Sequence, residues 1–314
     1  MSDGLRVEKY HGTGNDFVVV PADAPVADRV AFTARHCDRE TGIAHPDAER
    51  TGADGVLFLD CEADRREASG TRAATSESRE GVDGSADPPR VGMTHVQPDG
   101  SVAEMCGNGV RCAALWAARE LGVGVDAPAD VVVVTPAGDR PATVEDPPDG
   151  TATVTVDMGR PSFAAVDVPL AADRTEPLFE ESVAGLTVSA VNTGVPHAVA
   201  FVEDVEAADL EAVAPPVRHA DVFPEGTNVV LAAPDGAGGF DQRTYERGVE
   251  GETDACGTGA VAVAAVARRR GLLNEDWVAV RPPGGALSVR VRPGGSFLRG
   301  PAEREFATTL VVEP

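Results

Sequence analysis

Two cysteines in this sequence stand in the same local setting and could do the same chemistry. Cys106 opens the string Cys-Gly-Asn-Gly and Cys256 opens Cys-Gly-Thr-Gly, and an acid, Glu104 or Asp254, stands two residues before each cysteine. An Ala/Val-rich segment then follows in both cases and stops at a glycine. A cysteine just before a helix faces unpaired backbone N–H groups and the positive end of the helix dipole. We therefore expect both thiols to have a lowered pKa and to form thiolates.

The pair predicts more than two separate nucleophiles. The glycines let a ligand approach the backbone closely, and the N–H groups of a helix start can bind a carboxylate. Two such sites facing each other suit racemisation, in which one thiolate removes a Cα proton and the opposite thiol protonates the other face. The enediolate that forms would be stabilised by the two helix N-termini, and domain closure would exclude water. No cofactor is expected, because Lys9 is the only lysine and lies in no recognisable pyridoxal motif.

The other three cysteines are expected to be small buried hydrophobes. They are Cys37, Cys61 and Cys112. The odd total of five and their wide spacing do not suggest a disulfide framework, and no Cys/His cluster has the spacing of a zinc site, so we expect no metal.

The elements that would position the two cysteines are mostly strands. Short β-like runs, several with alternating polarity, are expected at 17–20, 56–59, 131–134, 151–156, 198–202, 228–231, 277–280 and 287–291. Helices are expected at 26–39, at 204–213 with Asp204 as N-cap, and at 110–121 and 260–270 after the two cysteine motifs. The last two are rich in small residues nearly all round and should be buried. One in each half predicts an internal duplication, each helix wrapped by its own strands.

Length and composition bound the class of protein. The chain has 314 residues, which suits two domains, and 42% of them are hydrophobic. Its formal charge is −24, which disfavours nucleic-acid binding and is consistent with adaptation to high salt. The sequence shows neither a secretory signal nor an apolar run long enough to span a membrane, so we expect a cytoplasmic protein. A homodimer is one assembly that the sequence allows.

Two segments read as insertions on the surface. Residues 62–89 lack periodicity and are rich in charged and small residues, which predicts a flexible loop. Residues 44–51 form a shorter polar interruption.

Several motifs together resemble the diaminopimelate epimerase family over nearly the whole chain. They are His11-Gly12-Thr13-Gly14-Asn15-Asp16-Phe17, Met105–Cys112, Pro196-His197, Asn228, Glu246-Arg247-Gly248, Gly251-Glu252-Thr253 and Ala255–Gly259. The resemblance implies interconversion of LL- and meso-diaminopimelate in lysine biosynthesis. It also implies an α+β fold of two pseudo-symmetric α/β-roll domains with the site in the cleft between them. The domains would span 1–138 and 139–304, with 305–314 returning to the first.

The resemblance also implies a role for each residue of the site. Cys106 and Cys256 would be the proton-transfer groups, and His197 and Glu246 would modulate the thiols. The α-carboxylate would lie against Gly107, Asn108, Gly257 and Thr258. The distal amino-acid head would be held by Asn15, Gln97, Asn228, Glu246 and Arg247, with the guanidinium a bidentate match for a carboxylate.

The chain departs from the family pattern at the distal end. Gln97 stands where the family usually has Asn, Val195 replaces the Asn of Asn-Pro-His, and Gly55 replaces a frequent Gln. The amide lost at Val195 would be replaced from elsewhere, for which Asn192 is the candidate. These changes concern substrate identity more than reaction type.

Three alternative readings remain. A proline or hydroxyproline racemase-type enzyme would share the two cysteine motifs, but Asn108 and Glu246-Arg247 argue against it. A phenazine-biosynthesis-type isomerase would share the fold but lacks the cysteine pair. A non-catalytic thiol protein could use the same cysteines as a disulfide switch. Loss of turnover with retained binding in a cysteine variant would separate catalysis from sensing.

Overall fold

The computed structural model describes residues 4–61, 87–148, 151–273 and 275–311. The strands among these residues form one connected sheet of 17 strands. The first nine strands are β1 (Leu5–Gly12), β2 (Asn15–Pro21), β3 (Gly55–Cys61), β4 (Arg90–Val96), β5 (Val102–Ala103), β6 (Ala129–Thr135), β7 (Gly138–Glu145), β8 (Ala152–Gly159) and β9 (Glu181–Val183). The others are β10 (Leu186–Asn192), β11 (Pro196–Phe201), β12 (Asn228–Pro234), β13 (Phe240–Glu246), β14 (Gly251–Thr253), β15 (Val278–Arg281), β16 (Leu287–Arg292) and β17 (Gly295–Leu310).

The described residues form four helices. They are α1 (Arg29–Cys37), α2 (Gly107–Glu120), α3 (Leu210–Arg218) and α4 (Gly257–Arg269). The two helices after the cysteine motifs are confirmed, and each is followed by a glycine with positive φ, Gly122 at 63° and Gly271 at 71°. Neither they nor the other two are long and apolar enough to cross a membrane.

The same strand ladder occurs twice, which confirms the duplicated architecture. In the first half β2 pairs parallel with β3, β3 antiparallel with β4, and β4 parallel with β6. In the second half β11 pairs parallel with β12, β12 antiparallel with β13, and β13 parallel with β15. Each ladder surrounds one of the two motif helices, α2 or α4. The domain boundary at 138/139 stays a prediction.

The two motif helices form the centre of the core. Twelve residues of α2 and eleven of α4 are buried, so nearly every face of each helix packs against strands. Small side chains make this packing close, and the core cluster around both helices contains mainly Val, Ala and Leu. A helix buried on all sides fixes the position of its first turn, and therefore the position of the cysteine before it.

The last strand joins the two halves. β17 pairs with β16 through Gly295–Arg299, with β8 through Ser296–Ala302, and with β1 through Glu303–Leu310. The end of the described chain thus lies beside its beginning.

The structure corrects two expectations. The helix predicted at 204–213 is α3, which begins after Asp209, whose side chain accepts from the Ala212 N–H at 3.2 Å. Asp204 instead closes a turn through the Glu206 N–H. The helix continues through Pro215 because its apolar side buries against the sheet, so tertiary packing outweighs the proline penalty. Cys61, expected to be buried, is only partly covered.

The other predicted elements are found in the structure or fall outside the described residues. All eight predicted strands are confirmed, and the helix predicted at 26–39 is α1, capped by Asp28. Cys37 and Cys112 are buried as expected. Most of the inserted segment 62–89 lies outside the described residues. Residues 44–51 lie on the surface, although Arg50 contacts the second half.

Candidate active site

The N-termini of α2 and α4 meet at two glycines. A Cβ placed on Gly107 would lie 3.7 Å from the Gly257 Cα, and one placed on Gly257 would lie 3.6 Å from the Gly107 Cα. A Cβ on Gly257 would also lie 2.9 Å from Leu298 Cδ2. Any larger residue at either position would therefore crowd the meeting point. The first N–H groups of both helices converge there, which makes a site for an anion.

The two candidate cysteines are the N-cap residues of these helices. Cys106 has φ −142° and ψ 108°, and its Sγ accepts from the Gly109 N–H at 3.4 Å. Cys256 has φ −123° and ψ 102°, and its Sγ lies 3.4 Å from Thr258 Oγ1. The carbonyl of Cys256 accepts from Gln242 Nε2 at 3.3 Å. The structure thus brings both thiols to the point where the helix ends meet.

The expected lowering of the thiol pKa is wrong for this structure. Burial raises the pKa of the Cys106 thiol to about 11, although the Gly109 N–H and the buried Arg111 guanidinium act in the opposite direction. Burial raises the pKa of Cys256 well above 9, and the negative charge of Glu246 raises it further. The cost of placing a thiolate in a water-poor site exceeds the stabilisation by one helix start. Both groups are thiols in the free protein, and a thiolate formed there would be a strong base.

A cavity of ≈1120 Å³ opens above the two cysteines and lies between the two halves. Its lining includes eleven of the twelve predicted site residues: Asn15, Gln97, Cys106, Gly107, Asn108, Asn228, Glu246, Arg247, Cys256, Gly257 and Thr258. The cavity is large enough for an amino acid with a second polar head.

Asn15 is held from two sides. Its Oδ1 accepts from Asn108 Nδ2 at 2.6 Å, and its Nδ2 donates to Asp54 Oδ2 at 3.1 Å. Asn108 is 2% exposed, and its Oδ1 has no hydrogen-bond partner among the residues that the structure describes. These hydrogen bonds hold the Asn15 and Asn108 side chains at the N-terminus of α2. They leave the buried Asn108 Oδ1 able to accept a hydrogen bond from a ligand.

Three of the five residues expected at the distal head, Asn228, Glu246 and Arg247, lie together near the end of β13. Asn228 Oδ1 accepts from the Arg247 N–H at 2.8 Å, and Asn228 Nδ2 donates to the Pro196 carbonyl at 3.2 Å. Arg247 makes no ion pair within the described part of the chain, and its Nη1 donates to the Glu225 carbonyl at 3.4 Å, which leaves its other N–H groups for a carboxylate. Glu246 accepts from Thr253 Oγ1 at 2.9 Å and lies beside Cys256, and burial raises the pKa of its carboxyl.

Two of the predicted site residues have a less direct relation to the cavity. Gln97 lines the cavity, but its Nε2 donates to Ser101 Oγ at 2.9 Å in the turn that follows β4. His197 is fully buried on β11 and is not among the cavity-lining residues, and in the described part of the chain neither ring nitrogen has a hydrogen-bond partner. Burial, aided by the nearby Arg247 cation, lowers the pKa of His197 to about 3, so its imidazole is neutral at pH 7.

The structure adds site residues that the sequence reasoning missed. Asp54 orients Asn15, and Arg50 joins the halves by donating to Asp254 Oδ2 at 3.1 Å. His95 lines the cavity, and neither of its ring nitrogens forms a hydrogen bond with any residue described here. The only signal for Asp54 was its place in the Ala-Asp-Gly string, and none marked His95.

Neither a metal site nor a free lysine is found in the parts of the chain described here. No three His, Cys, Asp or Glu side chains among the described residues are placed to hold a metal ion. Lys9 is fully buried, with its Nζ 2.8 Å from Asp16 Oδ2 and 3.5 Å from Glu305 Oε2. This ion-paired amine cannot form a Schiff base without breaking up the core around it.

Comparison with known proteins identifies close relatives. The family model described as diaminopimelate epimerase matches residues 7–164 and 189–305. The diaminopimelate epimerase of Methanocella arvoryzae is 38% identical over 98% of both chains. That of Methanothrix thermoacetophila is 39% identical over 95% of this chain and 93% of its own.

Solved structures share the fold at low sequence identity. A hydroxyproline epimerase from Agrobacterium vitis matches with a TM-score of 0.62 and 14% identity, covering all of this chain and 94% of that one. A PhzF-family phenazine biosynthesis protein from Bacillus anthracis matches with a TM-score of 0.60 and 14% identity, covering 98% of this chain and 99% of that one. These two matches show the two-domain fold alone. The family model and the sequence relatives go further, and this chain belongs to the diaminopimelate epimerase family.

Proposed function

We propose that this protein interconverts LL- and meso-2,6-diaminopimelate by moving the Cα proton between Cys106 and Cys256, without a cofactor. The observation that carries the proposal is the meeting of two cysteine-capped helix N-termini at the Gly107–Gly257 contact. One thiol lies at each side of a single anion-binding point. A substrate carboxylate bound there would place its Cα between two groups able to exchange a proton.

The reaction needs a strong base and a stabilised anion. One thiolate takes the Cα proton, and the electron pair left behind moves into the carboxylate to form an enediolate. The backbone N–H groups of Gly107, Asn108, Gly257 and Thr258 would bind that charge. The thiol on the other side gives its proton to the opposite face of Cα, so the configuration inverts and the two cysteines exchange protonation states.

Burial of the cysteines supports this chemistry. An amino-acid Cα–H is a very weak acid, and a thiolate with a raised pKa is a stronger base than one in water. The same burial makes the resting thiolate rare, so the substrate's own charges must help to create it. We propose that two groups adjust which thiol is ionised. They are Glu246, beside Cys256, and the neutral His197, buried on β11.

The far end of the cavity suits a second amino-acid head. Arg247 would bind the distal carboxylate, Glu246 the distal ammonium, and Asn15, Gln97 and Asn228 would complete the hydrogen bonds. A proline-type substrate has neither group and would leave the arginine and the glutamate of the cavity without ligand partners, which disfavours its binding. The substrate class we propose is therefore a dicarboxylic diamino acid, the kind of precursor used in lysine biosynthesis.

The net charge of the chain favours activity at high salt. We propose that the net charge of −24 reflects work at high salt in the cytoplasm, where counterions screen the repulsion between surface carboxylates.

Proton NMR in D2O tests the function directly. LL-diaminopimelate, and in a second tube L-proline, would be incubated with the reduced protein at low and at high salt. Loss of the Cα–H signal together with appearance of the meso isomer, for diaminopimelate alone, is the expected result. Exchange of proline instead would keep the two-cysteine chemistry and overturn the distal-head assignment. A folded protein that exchanges neither would overturn the proposal.

A further inference from the structure

His95 has a buried imidazole whose two ring nitrogens are both unpaired within the described ranges. It lies on β4, is 5% exposed, and lines the cavity between the halves. No described residue forms a hydrogen bond with Nδ1 or Nε2. A buried polar group left unpaired costs about 1–3 kcal/mol, so the ring requires a partner from the cavity.

The position of the ring is fixed by its neighbours. His95 lies on the same face of β4 as Met93, because side chains alternate along a strand, and Gln97 follows in the turn after the strand. On the adjacent strand a Cβ at Gly55 would lie 2.4 Å from His95 Nε2, so the imidazole occupies the space that a side chain at 55 would need. The ring of Phe17 packs edge-on against it, with centroids 5.3 Å apart and planes at 89°.

The strand ladder puts His95 on the face of the sheet that is turned toward the start of α2. His95 pairs with Leu57 across β3 and β4, and Leu57 Cδ2 lies 3.5 Å from a Cβ placed on Gly109. In the repeat, Thr244 pairs with Val230, and its Oγ1 accepts from Gln242 Nε2, which also donates to the carbonyl of Cys256. His95 holds the position corresponding to Thr244 in the half that contains Cys106, and both His95 and Cys106 line the cavity.

The charge state of the ring selects its ligand. Burial lowers the pKa of His95 to about 4, so its imidazole is neutral at pH 7 and has one nitrogen free to accept a hydrogen bond. In the proposed function, the helix N-termini take the α-carboxylate, and Arg247 and Glu246 take the distal head. The group of the substrate still without a partner is the ammonium on the reacting carbon.

We propose that His95 is a substrate-binding residue whose imidazole accepts a hydrogen bond from the ammonium group on the reacting carbon. The inference rests on the proposed function, since it assigns the remaining group of the same substrate. It also gives Gly55 a role: the missing side chain makes room for the ring.

The test compares two ligands that differ only in amino groups. Binding of meso-diaminopimelate and of pimelate, the same diacid without amino groups, would be measured by calorimetry for wild type, His95→Leu and His95→Gln. We expect His95→Leu to weaken diaminopimelate binding by about tenfold or more and to leave pimelate within about twofold. His95→Gln, which keeps an acceptor, should recover part of the affinity.

Controls separate binding from folding. Met93→Leu changes a buried residue two positions earlier on the same face of β4, outside the cavity lining, and should leave both affinities unchanged. Thermal melting of every variant identifies any that fails to fold, and His95→Gln then carries the comparison in place of His95→Leu. An equal loss for both ligands, or no loss for diaminopimelate, would overturn the role of His95. Failure of the wild type to bind or exchange diaminopimelate would instead overturn the proposed function and the inference together.

A second route reaches the same ring without replacing it. Gly55→Ala places a methyl group where His95 Nε2 now lies, so it should displace the ring and weaken diaminopimelate binding. In a His95→Ala background only the Val96 carbonyl oxygen, 3.0 Å from that Cβ, still crowds the methyl group, so Gly55→Ala should then have a much smaller effect. Equal effects of Gly55→Ala in both backgrounds would contradict the steric link.

Discussion

The carboxyl group of Glu246 lies within hydrogen-bonding reach of the Cys256 thiol, while the neutral Gln97 holds the equivalent position in the first half. The two thiols are therefore alike in backbone setting and different in charge. The Glu246 anion raises the pKa of both thiols, but it acts on Cys256 through a hydrogen bond as well as through its charge. At Cys106 the Gly109 N–H and the buried Arg111 cation act in the opposite direction and lower the pKa. We infer that Cys106 ionises first in the free protein and that Cys256 rests as the thiol.

Glu246→Gln should make Cys256 more reactive. Removing the carboxylate removes the charge that raises the pKa of Cys256, so more thiolate is present at a given pH. We expect faster alkylation of Cys256 by iodoacetamide at pH 8.5 without substrate, measured by mass spectrometry of the modified peptide. Glu176→Gln, an exposed glutamate outside the cavity, is the matched control. An unchanged or slower alkylation rate would contradict the charge effect.

Replacing either central cysteine should abolish turnover but retain binding. Cys106→Ala and Cys256→Ala each remove one of two proton-transfer groups, and we expect kcat to fall at least about a thousandfold. Affinity for meso-diaminopimelate should change by no more than a few-fold, because the helix N–H groups remain. Cys112→Ala, six residues further along in the same helix and fully buried, should reduce stability and leave kcat near the wild-type value. Turnover that survives in both single variants would rule out the two-base mechanism.

The pH dependence of Cys106 alkylation should follow its raised pKa. Because that pKa is about 11, the thiolate fraction, and with it the alkylation rate, should rise about tenfold per pH unit from 7 to 10. Arg111→Met removes the cation that lowers this pKa and should slow alkylation at every pH in that range. Arg111→Lys keeps the charge and should stay closer to wild type. A plateau reached below pH 9 would show that Cys106 is already a thiolate near neutrality.

Stability should rise with salt. The formal charge of −24 sets many carboxylates against one another on the surface, and counterions reduce this repulsion. We expect the thermal midpoint to increase between 0.1 M and 2 M KCl by at least about 4 °C, the shift that roughly 2–3 kcal/mol gives in a chain of this size. Sucrose at the same osmolality serves as the control for exclusion from the surface. Equal midpoints in low and high KCl would argue against adaptation to salt.

Features encoded within a short stretch of sequence were predictable. The alternation of apolar residues predicts the eight strands, and the motifs with their terminal glycines predict α2 and α4 to within a few residues. The pairing of the two cysteines followed from their shared motif. The packing of α3 past Pro215 was not predictable, because the sheet that stabilises the helix is formed by distant strands.

The electrostatics of the site were not predictable for the same reason. The sign of the thiol pKa shift depends on how completely the two halves cover the cysteines, and no local pattern reports this. Arg50 lies 204 residues from its partner Asp254, and His95 depends on an empty position at Gly55, forty residues earlier on another strand. Such contacts form only after the strands of the sheet have paired in their final register.

The pairing of β1 with the end of β17 affects how the chain can fold. Leu5 lies opposite Leu310, so this edge of β1 has its partner only after nearly the entire chain has been synthesised. Until then the first half exposes unpaired backbone groups beside an apolar strand, a surface prone to association with other chains. Because contacts between such distant residues close slowly, we expect assembly of the whole protein to be limited by the arrival of its last strand.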